Sequence, residues 1–447
     1  MTETSGHQKI TCDYLPTDFI QTILLSQYLE SSPPLGRIYL DNASYEEMGE
    51  WVLPPKVYEQ YESMKKNLPP NFSLLRGGYF RNFLVKYPEV NRLHKRMLYV
   101  SKKMSQARKP KSKEARIELF KGQCNDVYWH GIFGGLYLPH LRNGVYQHLV
   151  KADKMLTADK EAEPILYDFD ACGKKEIIFD NQEIFLVASP WQGGAIQCLD
   201  IKKYGINLFD IISRHKESYH QKIKSTLESG APSVEPIKTI HSELKLKDTD
   251  IKHYLIYDNY ERLALLDHFL NSAVKVEDFY YNRFQETYNL INQNRSYALH
   301  QNGVSLSANG FCPNSSGILN KTILLNSNRI RFTYDLKEIA ATSANPIRFG
   351  VEFGFRPLKH FTIGSRQIDN ASIGQLEKTK DCSMLTLDPN TEISLNSVDT
   401  PFDLWYFPIY SVSSSESGLE RIYQGTVLLL SWLLNSPDTK LVFQLTW

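Results

Sequence analysis

Asparagine, aspartate, tyrosine, tryptophan and histidine fall within the six positions Asn125 to His130, and the chain then runs on through Gly131, Ile132, Phe133, Gly134 and Gly135. Side chains of these types together can hold a sugar. The indole of Trp129 offers a flat apolar face to a pyranose ring, while Asn125, Asp126 and His130 supply donors and acceptors for hydroxyl groups. The same residues also read as packing, because Tyr, Trp and His on helices commonly form core with a satisfied polar tip. The glycines allow a close backbone approach on either reading.

Other constellations point to structure. His215 and His220 bracket Glu217 in "RHKESYH", a pattern that would suit a metal, but no third ligand stands at suitable spacing and a polar contact is the expectation. Asp168, Asp170 and Glu176 have oxygen-ligand spacing that can hold calcium, but a plain turn between strands is the expectation. Ser44 and Glu47 stand in capping-box spacing, which explains the Glu46-Glu47 pair as a helix start. Ser413, Ser414 and Ser415 lack the context of a nucleophile elbow and read as loop. No metal and no cofactor is expected.

The elements that must position the Trp129 segment are helical. Val90, Leu93, Met97, Val100 and Met104 step by three and four, as do Ile117, Phe120, Cys124 and Val127. A further helix opens at Pro139 and carries Leu141, Val145, Leu149, Ala152 and Leu156 on one stripe. Before them, Ile38, Tyr39 and Leu40 form a short strand ending in an Asp-Asn turn. After about Pro164 the pattern changes to short period-two runs such as "EIIFDNQEIFLVAS", "TILLNSNRIRFTYDL", "RFGVEFGF" and "KLVFQLTW". These predict a large β-sandwich, interrupted around Asn207 to Asn292 by a lobe in which "ERLALLDHFL" reads as helix.

The whole-chain quantities set limits on this picture. A length of 447 residues implies roughly two to three domains, and a net charge of +1 provides no global attraction to nucleic acid. The basic run Lys102 to Arg116 has no interleaved aromatics and reads as a solvated helix end. Six scattered cysteines, a polar N-terminus and a longest apolar stretch of only Thr426 to Leu434 point to a cytoplasmic protein without a membrane partner.

Three segments, "IYLDNASYEEMGEWVLP", "RGGYFRNFLVKYPEVNRLHKRML" and "QCNDVYWHGIFGGLYLPHLRNGVYQHLVKAD", resemble the end of the catalytic region of glycoside hydrolase family 57, in its α-amylase and 4-α-glucanotransferase branch. "PWQGGAIQCLDIKKYGINLFDIISRHKESYHQ", "YERLALLDHF" and "FPIYSVSSSESGLERIYQG" resemble the β-sandwich that follows the barrel there. The resemblance implies an α+β multidomain chain: the last strand of a truncated (β/α)7 barrel at 1–55, a helical middle domain at 56–160, and a galactose mutarotase-like β-sandwich at 161–447. It implies that Trp129 stacks on substrate with Asp126, His130, Asn125 and Phe80 nearby. The family favours Trp where this sequence has Phe80, and a second arginine where it has His215. It also implies a retaining mechanism run by two carboxylates, a Glu and an Asp carried on stretches that have no counterpart here. Asp13 and Asp18 stand in no resembling context. No catalytic residue is therefore assigned. The expected partners are an α-glucan or maltooligosaccharide and a separately encoded N-terminal barrel half, with a non-catalytic glucan-binding protein as the alternative. Residues 18–29, "DFIQTILLSQYL", have the apolar content of an amphipathic helix that could cover a partial barrel.

Overall fold

A computed structural model describes residues 25–32, 48–69, 78–107, 112–131, 134–159, 161, 163–221, 251–312, 316–358, 360–363, 366–369, 371–376, 384–388, 391–415 and 418–447. The chain divides into two units, 1–43 and 44–447. The described part of the first is helix α1 (Leu25–Ser31), which overlaps the end of the expected amphipathic helix. The expected strand at Ile38 to Leu40, the Ser44/Glu47 capping box, Asp13 and Asp18 lie outside the described residues.

The second unit begins with helices: α2 (Gly49–Val52), α3 (Pro55–Lys65), α4 (Phe80–Lys86), α5 (Pro88–Gln106), α6 (Ser112–Lys121) and α7 (Pro139–Leu156). Helix α5 follows from its sequence. Pro88 presets the first turn, Glu89 meets the positive end of the helix dipole, and Val90, Leu93, Val100 and Met104 are buried on one side. Helix α7 likewise starts at its proline and buries Val145, Leu149 and Ala152. The stripe expected from Ile117 to Val127 is not continuous. Helix α6 ends at Lys121 with Ile117 and Phe120 exposed and Ala115 and Leu119 buried instead. The helix gives way at Gly122, a poor helix former, and a Cβ there would stand 2.5 Å from the Leu149 side chain, so the chain passes close to α7 at this residue.

Two antiparallel sheets follow. Among the described residues, the larger runs Gly374–Leu376, Asp403–Ser415, Gly418–Leu434, Ile347–Phe355, Ala264–Asn271, Ala195–Ile201, Ile184–Ser189, Glu176–Asp180 and Ile165–Tyr167, with Ile206–Asn207 and Glu286–Asn289 pairing beside it. The smaller runs Ser296–His300, Gly303–Asn309, Ile318–Asn326, Arg329–Lys337, Thr439–Thr446, Ile393–Ser397, Met384–Asp388, Phe361–Ile363 and Arg366–Ile368. Ile318–Asn326 and Arg329–Lys337 alternate between buried and more exposed positions, as a sheet with one solvated face should. Glu176–Asp180, Ile184–Ser189 and Ala195–Ile201 are buried at every position, because these strands carry packing on both faces. Phe269, Phe349, Phe353, Phe332, Tyr334, Trp432 and Phe443 belong to the core between the sheets.

Two sheet segments overturn expectations. Ser413, Ser414 and Ser415, expected as loop, end the strand Asp403–Ser415 and pair with Glu420, Leu419 and Gly418. "ERLALLDHFL" is a strand, Ala264–Asn271, hydrogen-bonded to Ile347–Phe355 in the middle of the larger sheet with every position but Asn271 buried. A short apolar run does not distinguish a buried helix from a buried strand. The polar residues within it are satisfied by remote partners: Asp267 accepts from Tyr334 at 2.8 Å and pairs with Arg295 at 3.2 Å and Lys321 at 3.0 Å. Among its described residues the surrounding lobe includes a short helix, α8 (Val276–Tyr280), and a 3-10 turn, Ile251–Tyr254. No helix is long and apolar enough to cross a membrane among the described residues.

The helices meet the sandwich through buried charge. Arg96 of α5 donates to Asp153 of α7 and Asp200 of the sandwich, both at 2.8 Å. Lys202 of the sandwich pairs with Asp153 at 2.6 Å and Asp180 at 2.7 Å, and Lys103 of α5 with Asp153 and, at 2.8 Å, Asp180. Three cations thus face three carboxylates. Lys103 belongs to the run expected to be solvated, yet its side chain is only 20% exposed.

Candidate functional site

Trp129 sits where a short 3-10 turn, Asn125–Tyr128, gives way to the narrow hairpin His130–Gly131 with Gly134–Gly135. Several contacts hold it there. Val127 and Tyr128 are buried, and the Tyr128 hydroxyl donates to the Gly122 carbonyl at 2.7 Å. The Leu136 amide donates to the Trp129 carbonyl at 2.8 Å. Gly135 has a φ of +72°, and a Cβ there would stand 2.1 Å from the Trp129 oxygen, so the hairpin closes only around glycine.

The Trp129 ring is half-buried. It lies 4.6 Å from the Phe83 ring and 6.4 Å from Phe80, centroid to centroid. Phe80 opens α4, whose first turn is fixed by the Tyr79 amide donating to Asn82 Oδ1 at 3.1 Å, and its ring is 43% exposed. His94 of α5 presents its ring edge to Phe80 at 5.5 Å, and burial together with Lys95 lowers its pKa to about 4, so the imidazole is neutral near pH 7. Asn125 and Asp126 are exposed on the same turn, with Cys124 Sγ 3.7 Å from Asp126 Oδ2. These parts make a shallow aromatic platform with an amide and a carboxylate on the turn that carries it.

His130 points the other way. It is fully buried, with its ring edge-on to Trp51 at 4.8 Å and Tyr137 at 4.9 Å, and Nε2 lies 3.4 Å from the Tyr219 hydroxyl. Beside this cage stands Glu217, whose Oε1 accepts from Tyr87 at 2.7 Å and Tyr137 at 2.6 Å while Oε2 accepts from Lys86 at 3.0 Å. Burial alone would raise its pKa, but Lys86, His130, the Tyr137 hydroxyl and His220 outweigh burial and hold the carboxyl at about 2. A carboxylate so enclosed and so acidic is an anchor, not a proton donor. It ties the end of α4, the start of α5, and Tyr137, two residues beyond the glycine hairpin, to the sandwich.

The histidines around Glu217 are occupied. His215 pairs with Glu89 of α5 at 3.0 Å; burial opposes its charge, yet Glu89 prevails and raises its pKa to about 9. His220 receives the Glu217 amide on Nδ1 at 3.2 Å and places Nε2 2.9 Å from the Val412 carbonyl. The polar-contact expectation therefore describes "RHKESYH". Asp168, Asp170 and Cys172 come within 4.8 Å of one another, but their carboxylates receive turn amides: Cys172 N to Asp170, and Gly173 N to Asp168. Glu176 accepts instead from the Phe169 amide and the Trp191 indole.

Sequence reasoning found Trp129, Phe80, Asn125 and Asp126 on or beside the platform, and His130 behind it. It missed Trp51, Lys86, Tyr87 and Tyr137. Glu217 lies 131 positions from Lys86 and 80 from Tyr137, so no local periodicity marks the set. The density of histidine around Glu217 was the available signal.

The family described as alpha-amylase/4-alpha-glucanotransferase, C-terminal, matches residues 168–445, and the middle domain of the same family matches residues 78–156. Alpha-amylase 1 of Dictyoglomus thermophilum is 33% identical over 434 residues, covering 94% of this chain and 62% of that protein. The 4-alpha-glucanotransferase of Thermococcus kodakarensis is 31% identical over 417 residues, covering 91% and 59%. The crystal structure of 4-alpha-glucanotransferase from Thermococcus litoralis superposes with a TM-score of 0.71 at 28% identity, covering 95% of this chain and 60% of that one. The chain spans about three fifths of the length of these relatives.

Proposed function

Because this chain belongs to the alpha-amylase/4-alpha-glucanotransferase branch of glycoside hydrolase family 57, corresponding to its rear part, we propose that it recognises α-1,4-glucan through Trp129. The observation that carries this reading is the half-buried Trp129 ring, held on Phe83 beside the exposed Phe80. A fixed aromatic plane takes up the apolar face of a glucose unit with little loss of side-chain freedom. Asp126 and Asn125 face solvent on the same turn and serve the hydroxyls, while His130 acts from behind by holding the turn. We assign the domains by the same scheme: 1–55 as the last strand of a truncated (β/α)7 barrel, 56–160 as the helical middle domain and 161–447 as the sandwich.

Retaining chemistry needs a carboxylate nucleophile and a carboxyl acid/base on opposite sides of the scissile bond. Residues outside this sequence, in the same polypeptide or in a separate one, supply that pair. The 447-residue chain on its own then binds maltooligosaccharide in the cytoplasm without metal or cofactor and without turnover. A non-catalytic glucan-binding protein is the second reading, and it shares the platform.

Calorimetry of the chain with maltoheptaose, beside a glucan-release assay, tests the proposal. Binding without release, lost in Trp129→Ala, is the expected result. Release of glucan by the chain alone would sink the statement that its carboxylates come from elsewhere, and binding unchanged in the variant would sink the platform.

A further inference from the structure

A second aromatic cavity lies on the sandwich, of about 400 Å3 and lined by Lys174, Lys175, Pro190, Trp191, Asn294 and Tyr297. Its walls are tied together by backbone. The Arg295 amide donates to the Pro190 carbonyl at 2.9 Å and the Gly193 amide to the Gln293 carbonyl at 2.9 Å, while the Arg295 side chain reaches the Gly193 carbonyl at 3.2 Å. Arg295 is itself buried against Asp267, so both loops rest on the interior of the sandwich. The cavity is preformed.

Its aromatic floor is fixed as well. The Trp191 indole N–H donates to Glu176 Oε1 at 2.5 Å, and Glu176 Oε2 accepts from the Phe169 amide at 2.7 Å. The indole therefore keeps one orientation, with the Lys174 ammonium over one face of the ring, 4.7 Å from its centre. Tyr297 stands opposite on Ser296–His300, an edge strand exposed at every position, and its ring is 43% exposed. Two ring faces supply apolar contact, and Asn294 with the two lysines supplies donors and an acceptor for hydroxyls. A volume of this order suits a short stretch of neutral sugar.

We propose that the cavity between Trp191 and Tyr297 is a second, non-catalytic α-glucan site, separate from the Trp129 platform. The identity of the sugar rests on the function proposed above; the existence of the site rests on the cavity. Helix α5 links the two places: the Asn91 amide donates to the Asp170 carbonyl of the turn beside the cavity at 2.8 Å, and one turn later the His94 ring meets Phe80 and Tyr128. A long glucan held at both places gains from effective concentration, whereas a short one does not.

Retardation of the whole chain in gels containing soluble amylose reads the two sites apart. Tyr297→Ala removes an exposed ring and leaves the fold intact, which a thermal melt verifies; Trp191→Ala is its companion. The expected result is that Tyr297→Ala and Trp129→Ala each weaken retention by about tenfold and that the double variant runs as in a glucan-free gel. Tyr297→Ala and Trp191→Ala both migrating as wild type, with Trp129→Ala released, would overturn the second site and leave the first. Release by Tyr297→Ala with Trp129→Ala unchanged would do the opposite, and a wild-type chain that is not retarded would overturn both.

Discussion

Glu217 shows how one buried carboxylate can position the entire turn that carries Trp129. Its two oxygens serve Tyr87, Tyr137 and Lys86 while its own amide is taken by His220, so removing the carboxylate strands two hydroxyls and an ammonium in the interior. Breaking a buried pair of this kind costs about 3 to 5 kcal/mol. Glu217→Ala should therefore lower the unfolding free energy read from urea titration by that order, with Glu217→Gln milder because an acceptor oxygen is kept; equal stability in both variants and the wild type would disprove the anchor. His215 sets the alkaline side of the stability profile. Its pKa is raised from 6.5 to about 9, so the stability from its pairing with Glu89 is fully present below pH 6.5 and disappears as pH rises through 9. His268, held at about 9 by Glu286 and Glu352 against its burial, declines over the same window. Melting temperatures of His215→Gln should accordingly fall less steeply between pH 6.5 and 9 than those of the wild type, with the remaining slope due to His268. The sequence singled out Trp129 because the residue types themselves are unusual together. It could not disclose Glu217 as an anchor, because burial and three distant partners, not composition, define that role.

At the level of elements, the hairpin between Trp129 and Leu136 depends on a conformation more than on a contact. Gly135 adopts a positive φ with the Trp129 carbonyl against its Cα, so Gly135→Ala adds both backbone strain and a collision. The expected outcome is a chain that still folds, loses about 1 to 3 kcal/mol, and binds maltoheptaose at least tenfold more weakly because Trp129 is displaced. Calorimetry checks this, and affinity equal to the wild type would show that the turn does not set the ring. Regular periodicity made α5, α7 and the alternating strands Ile318–Asn326 and Arg329–Lys337 legible. Two elements escaped for physical reasons. Ala264–Asn271 is buried on both faces because it lies mid-sheet, which removes the alternation that marks a strand. The stripe from Ile117 to Val127 has helical spacing, but the helix ends at Lys121 inside it, just before Gly122, a poor helix former.

Across the whole molecule, the helices and sandwich are bound by charges neither could bury alone. The helices contribute Arg96, Lys103 and Asp153, one positive charge in sum, and the sandwich contributes Asp180, Asp200 and Lys202, one negative charge in sum. The seam should make helices and sandwich unfold together. Arg96→Ala leaves Asp153 and Asp200 short of a cation at full burial, and its thermal trace should separate into two transitions where the wild type has one; a single transition at an unchanged temperature would rule out the coupling. The same ledger of signs bears on modular exchange. A helical segment transplanted from another protein onto this sandwich would confront Asp180, Asp200 and Lys202 without their complement, so compatibility between donor and recipient is written in three ionisable positions on each side before shape is considered. Recombination of these modules succeeds only when both triplets travel as a matched pair.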